Sequence, residues 1–361
     1  MNIIIDKNSI LLPISKIVGI TEKRSLMPIL SNIMIDFKKT DTTIYSTDLE
    51  LSAIGQIDFK APEERKIVIH GRKFLEILRE MDTGEIILQV DENILTIKQK
   101  QTEIVLSLQD SEEFPEVKKI EGNEEYVING AALLEMIEKV SFAISVDETR
   151  YVLTGMHISS RDGNIMVVGT DGFRMAFYQK QIEGMKNFKG ITIPKRSLFE
   201  IEKIIDGDEN VLMILEEKHV QISTKNILVI SRVIEGSFPD YENVIPQTNE
   251  NIARIDKESF MKGLKKVSSI IGRSEPIKMN LTEGKLEMES ESDIGRAKEI
   301  LDIDYKGEDI TLNFNVRFVM DVVSHIESNI VVMSVPTTYG AVLFKEENNE
   351  NYKNIVMPIR I

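Results

Sequence analysis

The 361-residue chain has no cysteine, no tryptophan, only four histidines, and no apolar run long enough to span a bilayer. The missing cysteines exclude disulfides, iron–sulfur clusters and thiolate zinc sites in one step. A reducing cytoplasm is therefore the expected home, and no membrane span is expected. The opening Met1-Asn2-Ile3-Ile4-Ile5-Asp6 has no basic segment and meets an acid at once, so no signal peptide is expected there. Phosphate-loop, zincin and nucleophile-elbow motifs are absent too. His70, His157, His219 and His325 are scattered, so neither a metal site nor a cofactor nor a catalytic centre is expected. For His70 and His325, which lie on predicted helices, an ordinary surface or core role is the simpler account.

What is present is a repeat. Arg72-Lys73-Phe74-Leu75-Glu76-Ile77, Arg196-Ser197-Leu198-Phe199-Glu200-Ile201 and Arg317-Phe318-Val319-Met320-Asp321-Val322 share one pattern, starting 124 and 121 residues apart. Ser46-Thr47-Asp48-Leu49-Glu50 is echoed by Gly169-Thr170-Asp171-Gly172-Phe173, and Phe114-Pro115-Glu116-Val117 by Phe238-Pro239-Asp240-Tyr241. A period near 120 exceeds that of solenoids and matches a small domain. Each copy opens with a short strand and an amphipathic helix, as in Ala132-Leu133-Leu134-Glu135-Met136-Ile137. Alternating stretches such as Ile33–Phe37, Ile86–Val90 and Ile104–Leu108 predict antiparallel strands. The fold class expected is α+β: three tandem domains of two helices packed on antiparallel sheet, bounded at 1–122, 123–248 and 249–361. Pro13 is expected near the start of its helix, where it is tolerated.

The net charge of −15 is unevenly spread. Six segments read as helices, 6–24, 69–81, 129–143, 193–205, 255–273 and 314–326; they hold 17 basic and 11 acidic residues, leaving 27 and 48 elsewhere. Basic helices in an otherwise acidic chain point to phosphate contacts that position without reading sequence. The candidates are Lys23, Arg24, Arg72, Lys73, Arg150 with Tyr151 beside it, Lys195, Arg196, Lys262, Lys265, Lys266 and Arg273. The plainer alternative is a solvated helix face, with i,i+4 pairs open to Arg72–Glu76, Arg196–Glu200 and Arg317–Asp321. Asp171-Gly172 reads as a hairpin turn, since Asp48 holds the same place in the first copy. Phe173-Arg174-Met175 gathers residue types typical of interfaces. The apolar ending Ile355-Val356-Met357-Pro358-Ile359-Arg360-Ile361 is either a final edge strand or the lining of a groove.

Arg24-Ser25-Leu26-Met27-Pro28-Ile29-Leu30, Arg150-Tyr151-Val152-Leu153-Thr154-Gly155-Met156, Gly169–Ala176, Phe238–Tyr241 and Met357–Ile361, in this order, resemble the bacterial DNA polymerase III β-subunit family of sliding clamps. That resemblance implies a non-catalytic processivity factor. It implies as well a head-to-tail homodimer, a six-domain ring around duplex DNA with helices lining the hole and no sequence-specific readout. It further implies a partner-peptide cleft of Leu153, Thr170, Gly172, Phe173, Arg174, Met175, Pro239, Val244, Ala341, Ile355, Met357, Pro358, Ile359 and Arg360. The implied occupants are peptides of the DNA polymerase III α subunit, the clamp loader, other polymerases and repair proteins. Where relatives often carry His, this chain has Phe173. The dimer contact would join Ile104 and Leu106 to Ile270, Ile271 and the strand at 297–304. Without the resemblance, a cytosolic three-domain peptide-binding scaffold and a carboxylate-dependent hydrolase stay open.

Overall fold

The computed structural model describes residues 1–22, 26–122, 124–246, 251–272, 275–337 and 340–360. Three successive stretches share one element order. The first runs β1 (Asn2–Asp6), α1 (Lys7–Ile17), β2 (Asn32–Phe37), β3 (Thr42–Thr47), β4 (Leu51–Ile57), β5 (Arg65–His70), α2 (Gly71–Glu80), β6 (Glu85–Val90), β7 (Ile94–Gln99) and β8 (Thr102–Ser107). The second runs β9 (Glu125–Asn129), α3 (Gly130–Ser141), β10 (Gly155–Arg161), β11 (Asn164–Thr170), β12 (Arg174–Gln181), β13 (Phe188–Pro194), α4 (Lys195–Ile204), β14 (Asn210–Leu215), β15 (His219–Ser223) and β16 (Ile227–Arg232). The third runs β17 (Asn251–Asp256), α5 (Lys257–Ser268), β18 (Pro276–Thr282), β19 (Lys285–Ser292), β20 (Gly295–Asp302), β21 (Ile310–Asn315), α6 (Val316–His325), β22 (Ile330–Val335), β23 (Val342–Glu346) and β24 (Tyr352–Val356).

The pairing repeats as well. In each copy the first strand joins the sixth, giving β1-β6-β7-β8, β9-β14-β15-β16 and β17-β22-β23-β24. The other four strands run β5-β2-β3-β4, β13-β10-β11-β12 and β21-β18-β19-β20. The chain is thus α+β, built from three tandem copies of one domain.

Its contacts nevertheless gather into two compact units. The first, 1–134 with 193–233, holds the sheet β1-β6-β7-β8 and the eight-stranded β5-β2-β3-β4-β16-β15-β14-β9. The second, 135–192 with 234–361, holds β20-β19-β18-β21 and the eight-stranded β13-β10-β11-β12-β24-β23-β22-β17. The reason is strand pairing: β4 bonds β16, and β12 bonds β24, so each half of the middle copy is sewn into a neighbour's sheet. A sequence period cannot reveal which edges meet.

Local chemistry sets the elements. In β1, Ile3 and Ile5 are buried and Ile4 exposed, the period of two a half-buried strand requires. Ile10, Ile14 and Ile17 line one face of α1, as Phe260, Leu264 and Val267 do in α5; each such burial contributes about 1.5–3 kcal/mol. Asp6, Asp256 and Asn315 accept backbone N–H groups at their helix starts, and the His70 ring does the same for α2. These caps begin the helices later than the sequence pattern predicts. Pro13 is the seventh residue of α1, past the first turn where it was expected, and leaves the Ser9 carbonyl without its helical donor.

The two helices of a copy are closed by a repeated contact. The first helical N–H bonds a carbonyl beyond the second helix: Lys7 to Gly84 at 2.9 Å, Gly130 to Glu209 at 2.8 Å, Lys257 to Asn329 at 2.8 Å. The buried Lys7 ammonium also donates to the Met81 carbonyl at 2.8 Å, and Lys257 donates to that of Ile326. At Gly130 the chains approach more closely: a Cβ would lie 2.7 Å from Ile205 Cγ2 and 2.9 Å from the Gly207 carbonyl. Among the described residues, no helix is long and apolar enough to cross a membrane.

Candidate functional site

Two hairpin turns, Asp48–Leu51 and Asp171–Arg174, occupy equivalent places in the two units. Each aspartate Oδ1 accepts the next two available N–H groups: Glu50 at 3.0 Å and Leu51 at 2.7 Å, Phe173 and Arg174 both at 2.9 Å. Asp171 is therefore a turn former. The other carboxylate oxygen is treated differently in each unit. Asp48 Oδ2 lies 2.6 Å from Arg196 Nη1 of α4, and the same guanidinium donates to the Ile20 carbonyl at 3.0 Å. In the second unit the cation sits on the turn. Arg174 donates from Nε to Asp171 Oδ2 at 3.0 Å, from Nη1 to Asp321 Oδ2 of α6 at 2.6 Å, and from Nη2 to the Phe142 carbonyl at 2.8 Å. Its guanidinium lies 4.5 Å from the Phe318 ring, and the residue is 8% exposed. Arg174, expected to line a cleft, is a buried latch that fixes the turn.

In front of that latch the second unit presents an apolar face. Met166, Val168, Met175, Phe177, Leu343 and Ile355 form it, with Phe238, Tyr241, Ile245 and Ala341 packed half-buried against it. The covering segment is pinned by His157, whose ring stacks on Phe238 at 4.6 Å and whose Nδ1 lies 3.2 Å from Thr192 Oγ1. Burial lowers the His157 pKa to about 4, so the ring is neutral. Gly190 admits it, since a Cβ there would come within 2.3 Å of Nε2.

The mouth is built on the turn. Gly172 has φ +84°, and a Cβ on it would meet Arg150 Nη1 at 2.6 Å. Arg150 donates to the Asp171 carbonyl at 2.7 Å and lies 4.7 Å from the Phe173 ring, which is 52% exposed. Thr170 Oγ1 donates to the Arg174 carbonyl at 2.6 Å, and buried Leu153 lies beside Gly172. The ending is not an edge strand: β24 lies between β12 and β23. Beyond it, Met357 N–H donates to the Phe173 carbonyl at 2.9 Å and Ile359 N–H to that of Asn313 at 2.7 Å. Pro358 is buried, while Ile359 and Arg360 are exposed; Pro239 and Val244 are exposed on the covering segment. The expected residues Met175, Ala341 and Ile355 thus meet on one face, with Gly172, Phe173 and Met357 at its rim. Met166, Val168, Phe177 and Leu343 were missed, although strict alternation along β11, β12 and β23 would have found them.

The expected phosphate-binding residues divide sharply. Lys23, Arg24 and Arg273 lie outside the described residues. Arg72 donates to the Thr21 carbonyl at 2.8 Å and Arg196 to that of Ile20, so both cap the carbonyl end of the α1 region, a placement the helix dipole favours. Their anticipated partners are taken instead by Lys73–Glu76 at 2.5 Å and Lys203–Glu200 at 2.6 Å. Arg150 is committed to the turn. Lys262 pairs with Glu258, and Lys266 with Glu299 at 2.6 Å. Lys195 begins α4, and Tyr151 is exposed on the 3₁₀ segment Glu148–Leu153. Lys265 is exposed and, among the described residues, has no acidic partner. On the expected dimer surface, β8 and β20 are sheet edges, and Ile104, Leu106, Ile270 and Ile271 are half-buried.

Family models for the DNA polymerase III beta subunit match end to end: the N-terminal domain over residues 1–118, the central domain over 127–240 and the C-terminal domain over 242–360. The beta sliding clamp of Pseudomonas putida is 25% identical, with all of both chains covered. A solved DNA polymerase III subunit beta from Pseudomonas aeruginosa superposes with a TM-score of 0.95 at 25% identity, covering all of both chains. A Bartonella birtlesii DnaN sliding clamp bound to griselimycin gives 0.95 at 26% identity, again over the whole of both chains.

Proposed function

The chain belongs to the DNA polymerase III beta-subunit family, the non-catalytic sliding clamps of DNA replication, and from that premise we propose how its own residues do the work. Two copies pair head to tail, β8 of one against β20 of the other, and encircle duplex DNA. The observation that carries this is the repeated edge pairing. Leu228 faces Ile54 and Val229 faces Ala53 where β16 meets β4; Lys353 faces Phe177 and Asn354 faces Ala176 where β24 meets β12. Among the described residues, the strands of those two types left without such a partner are β8 and β20. Continuing the register sets Ile104 opposite the partner's Ala297, the third alanine of the series, and Glu103 opposite the partner's Lys298. Ile270 then stands where Ile20 is buried in the first copy.

Residues 1–122, 123–248 and 249–361 are the three domains in this reading. Cations on the helices, with Lys265 foremost, meet phosphates without reading sequence, so retention on DNA comes from topology and movement stays free. The apolar face ringed by Gly172, Phe173 and Met357 takes short apolar peptides from the polymerase α subunit, the clamp loader, other polymerases and repair proteins, in the cytoplasm at the nucleoid. Griselimycin bound to the Bartonella relative supports a ligand-accepting surface in this family. The test is small-angle scattering at micromolar concentration. A particle of twice the 41.1 kDa chain mass with a hollow distance distribution is expected. A 41.1 kDa particle at every concentration would overturn the ring.

A further inference from the structure

The first unit carries a second copy of the cleft's architecture. The β4–β16 junction repeats the β12–β24 junction strand for strand, and its outer face is again apolar: Ile54, Leu228 and Ile230 are buried, with Tyr45 beside them. Ile54 stands where Phe177 stands in the second unit, and Ile230 where Ile355 stands. Here the floor is occupied by the chain itself. Val117 and Ile120 of the connecting segment pack onto it, and Ile120 N–H donates to Gln221 Oε1 at 3.0 Å.

A cavity of about 280 Å³ remains beside that segment. Its walls other than the segment are Leu49, Glu50, Ser52, Glu216, His219 and Ile230. They include two carboxylates, one of them bridged to Arg232 at 3.0 Å, and no lysine or arginine. The segment brings Lys118 and Lys119 between two branched apolar side chains; Lys118 pairs with the segment's own Glu116 at 3.0 Å, and Lys119 is the cation it adds to the acidic walls. Leu49 forms one wall at φ +78°, where the second unit has Gly172. A 52% exposed leucine held in the left-handed region is backbone strain retained at a surface, a mark of functional positions.

We propose that this groove is a second peptide-docking surface, kept shut by residues 116–120 acting as a tethered ligand. The partner it fits is an extended segment of another protein, with branched apolar residues three positions apart and basic residues between them. The resident segment is the template for that chemistry. A tether at millimolar effective concentration outcompetes weak ligands, so the apparent affinity for an outside peptide scales with the fraction of open groove. The proposal goes beyond the clamp reading and does not depend on the ring.

The experiment uses the full chain and a fluorescent, photo-crosslinkable peptide Glu-Val-Lys-Lys-Ile, the sequence of residues 116–120. Val117→Ser with Ile120→Ser should bind it at one equivalent per chain, at least tenfold tighter than the unaltered chain, with crosslinks at the Leu49–Glu50 turn. If the double variant loses its cooperative thermal transition, Ile120→Ser alone carries the test with a smaller gain. Equal affinity in opened and unaltered chains overturns the proposal. Crosslinking at the Phe173 turn instead also overturns it, while leaving the cleft reading in place.

Discussion

Arg174 Nη1 lies 2.6 Å from Asp321 Oδ2, and this pair reverses the polarity of its counterpart, Asp48 with Arg196. In one unit the turn carries the anion and the helix the cation; in the other the roles are exchanged. The exchange leaves Arg317, the third arginine of the repeat, with only a long i,i+4 pair to Asp321 among the described residues, at 3.9 Å, and a side chain 62% exposed.

Arg174→Ala removes three hydrogen bonds and strands two carboxylates, Asp321 being partly solvated. The cost should be roughly 2–4 kcal/mol. Arg174→Lys should recover little, because one ammonium cannot satisfy three diverging acceptors. Thermal unfolding with a parallel peptide-binding titration checks this. An unshifted midpoint would sink the latch.

The extended edge register predicts that Glu103→Lys, or Lys298→Glu, weakens the dimer. The two together should restore much of the loss, because the pair is rebuilt with its charges exchanged. Sedimentation equilibrium reads the dissociation constant. Additive losses in the double variant would refute this register.

Lys265→Glu should lower DNA retention more than Lys262→Glu, whose ammonium is already paired with Glu258. The slope of affinity against salt should fall by about one for each phosphate no longer neutralised. Lys265→Glu with Lys266→Glu should slow loading further while leaving the circular dichroism spectrum unchanged. Processive synthesis equal to the parent's would make these lysines dispensable.

Removing residues 357–361 should abolish polymerase stimulation while the dimer persists, since it deletes the strand extension bonded to Phe173 but neither β8 nor β20. Native mass spectrometry distinguishes this from a collapsed dimer, which would assign the tail a structural role.

His157 gives the second unit a pH dependence. Its folded pKa of about 4 lies below the ordinary value of 6.5, so the unfolded chain binds the extra proton between them. Stability from this neutral ring is fully present above pH 6.5 and is lost as pH falls toward 4, by up to about 3 kcal/mol. Glu135 and Glu346, both lowered, add to the loss only below about 4.5. His157→Phe should keep the stack on Phe238 and flatten the profile between pH 6.5 and 4.5, read from the unfolding midpoint. An unchanged slope would mean another group titrates there.

Much of the fold was legible because it repeats: alternation located the strands, and the Asp48 and Asp171 echoes located both turns. Partner choice was not legible. Arg196 meets Asp48 across most of the first unit where helix spacing suggested Glu200, and Arg174, on a strand, meets Asp321 from another copy. For the same reason the charge split overstates how many helix cations are open to phosphate. Several helix cations, Arg72, Arg196, Lys7 and Lys257 among them, spend their donors on carbonyls at helix ends. The three-domain period was correct as a period, but strand edges, which sequence does not rank, pool the copies into two units.

The sequestered amines have a chemical consequence. Lys7, holding the Met81 carbonyl, and Lys139, buried between Glu346 and the Tyr352 ring, sit in different units, and an acylating reagent reaches neither until its surroundings open. Their modification rates, followed by mass spectrometry as denaturant rises, would act as two clocks in one molecule. Clocks that start together would mean the units let go as one; clocks that start apart would show which half of the chain surrenders first.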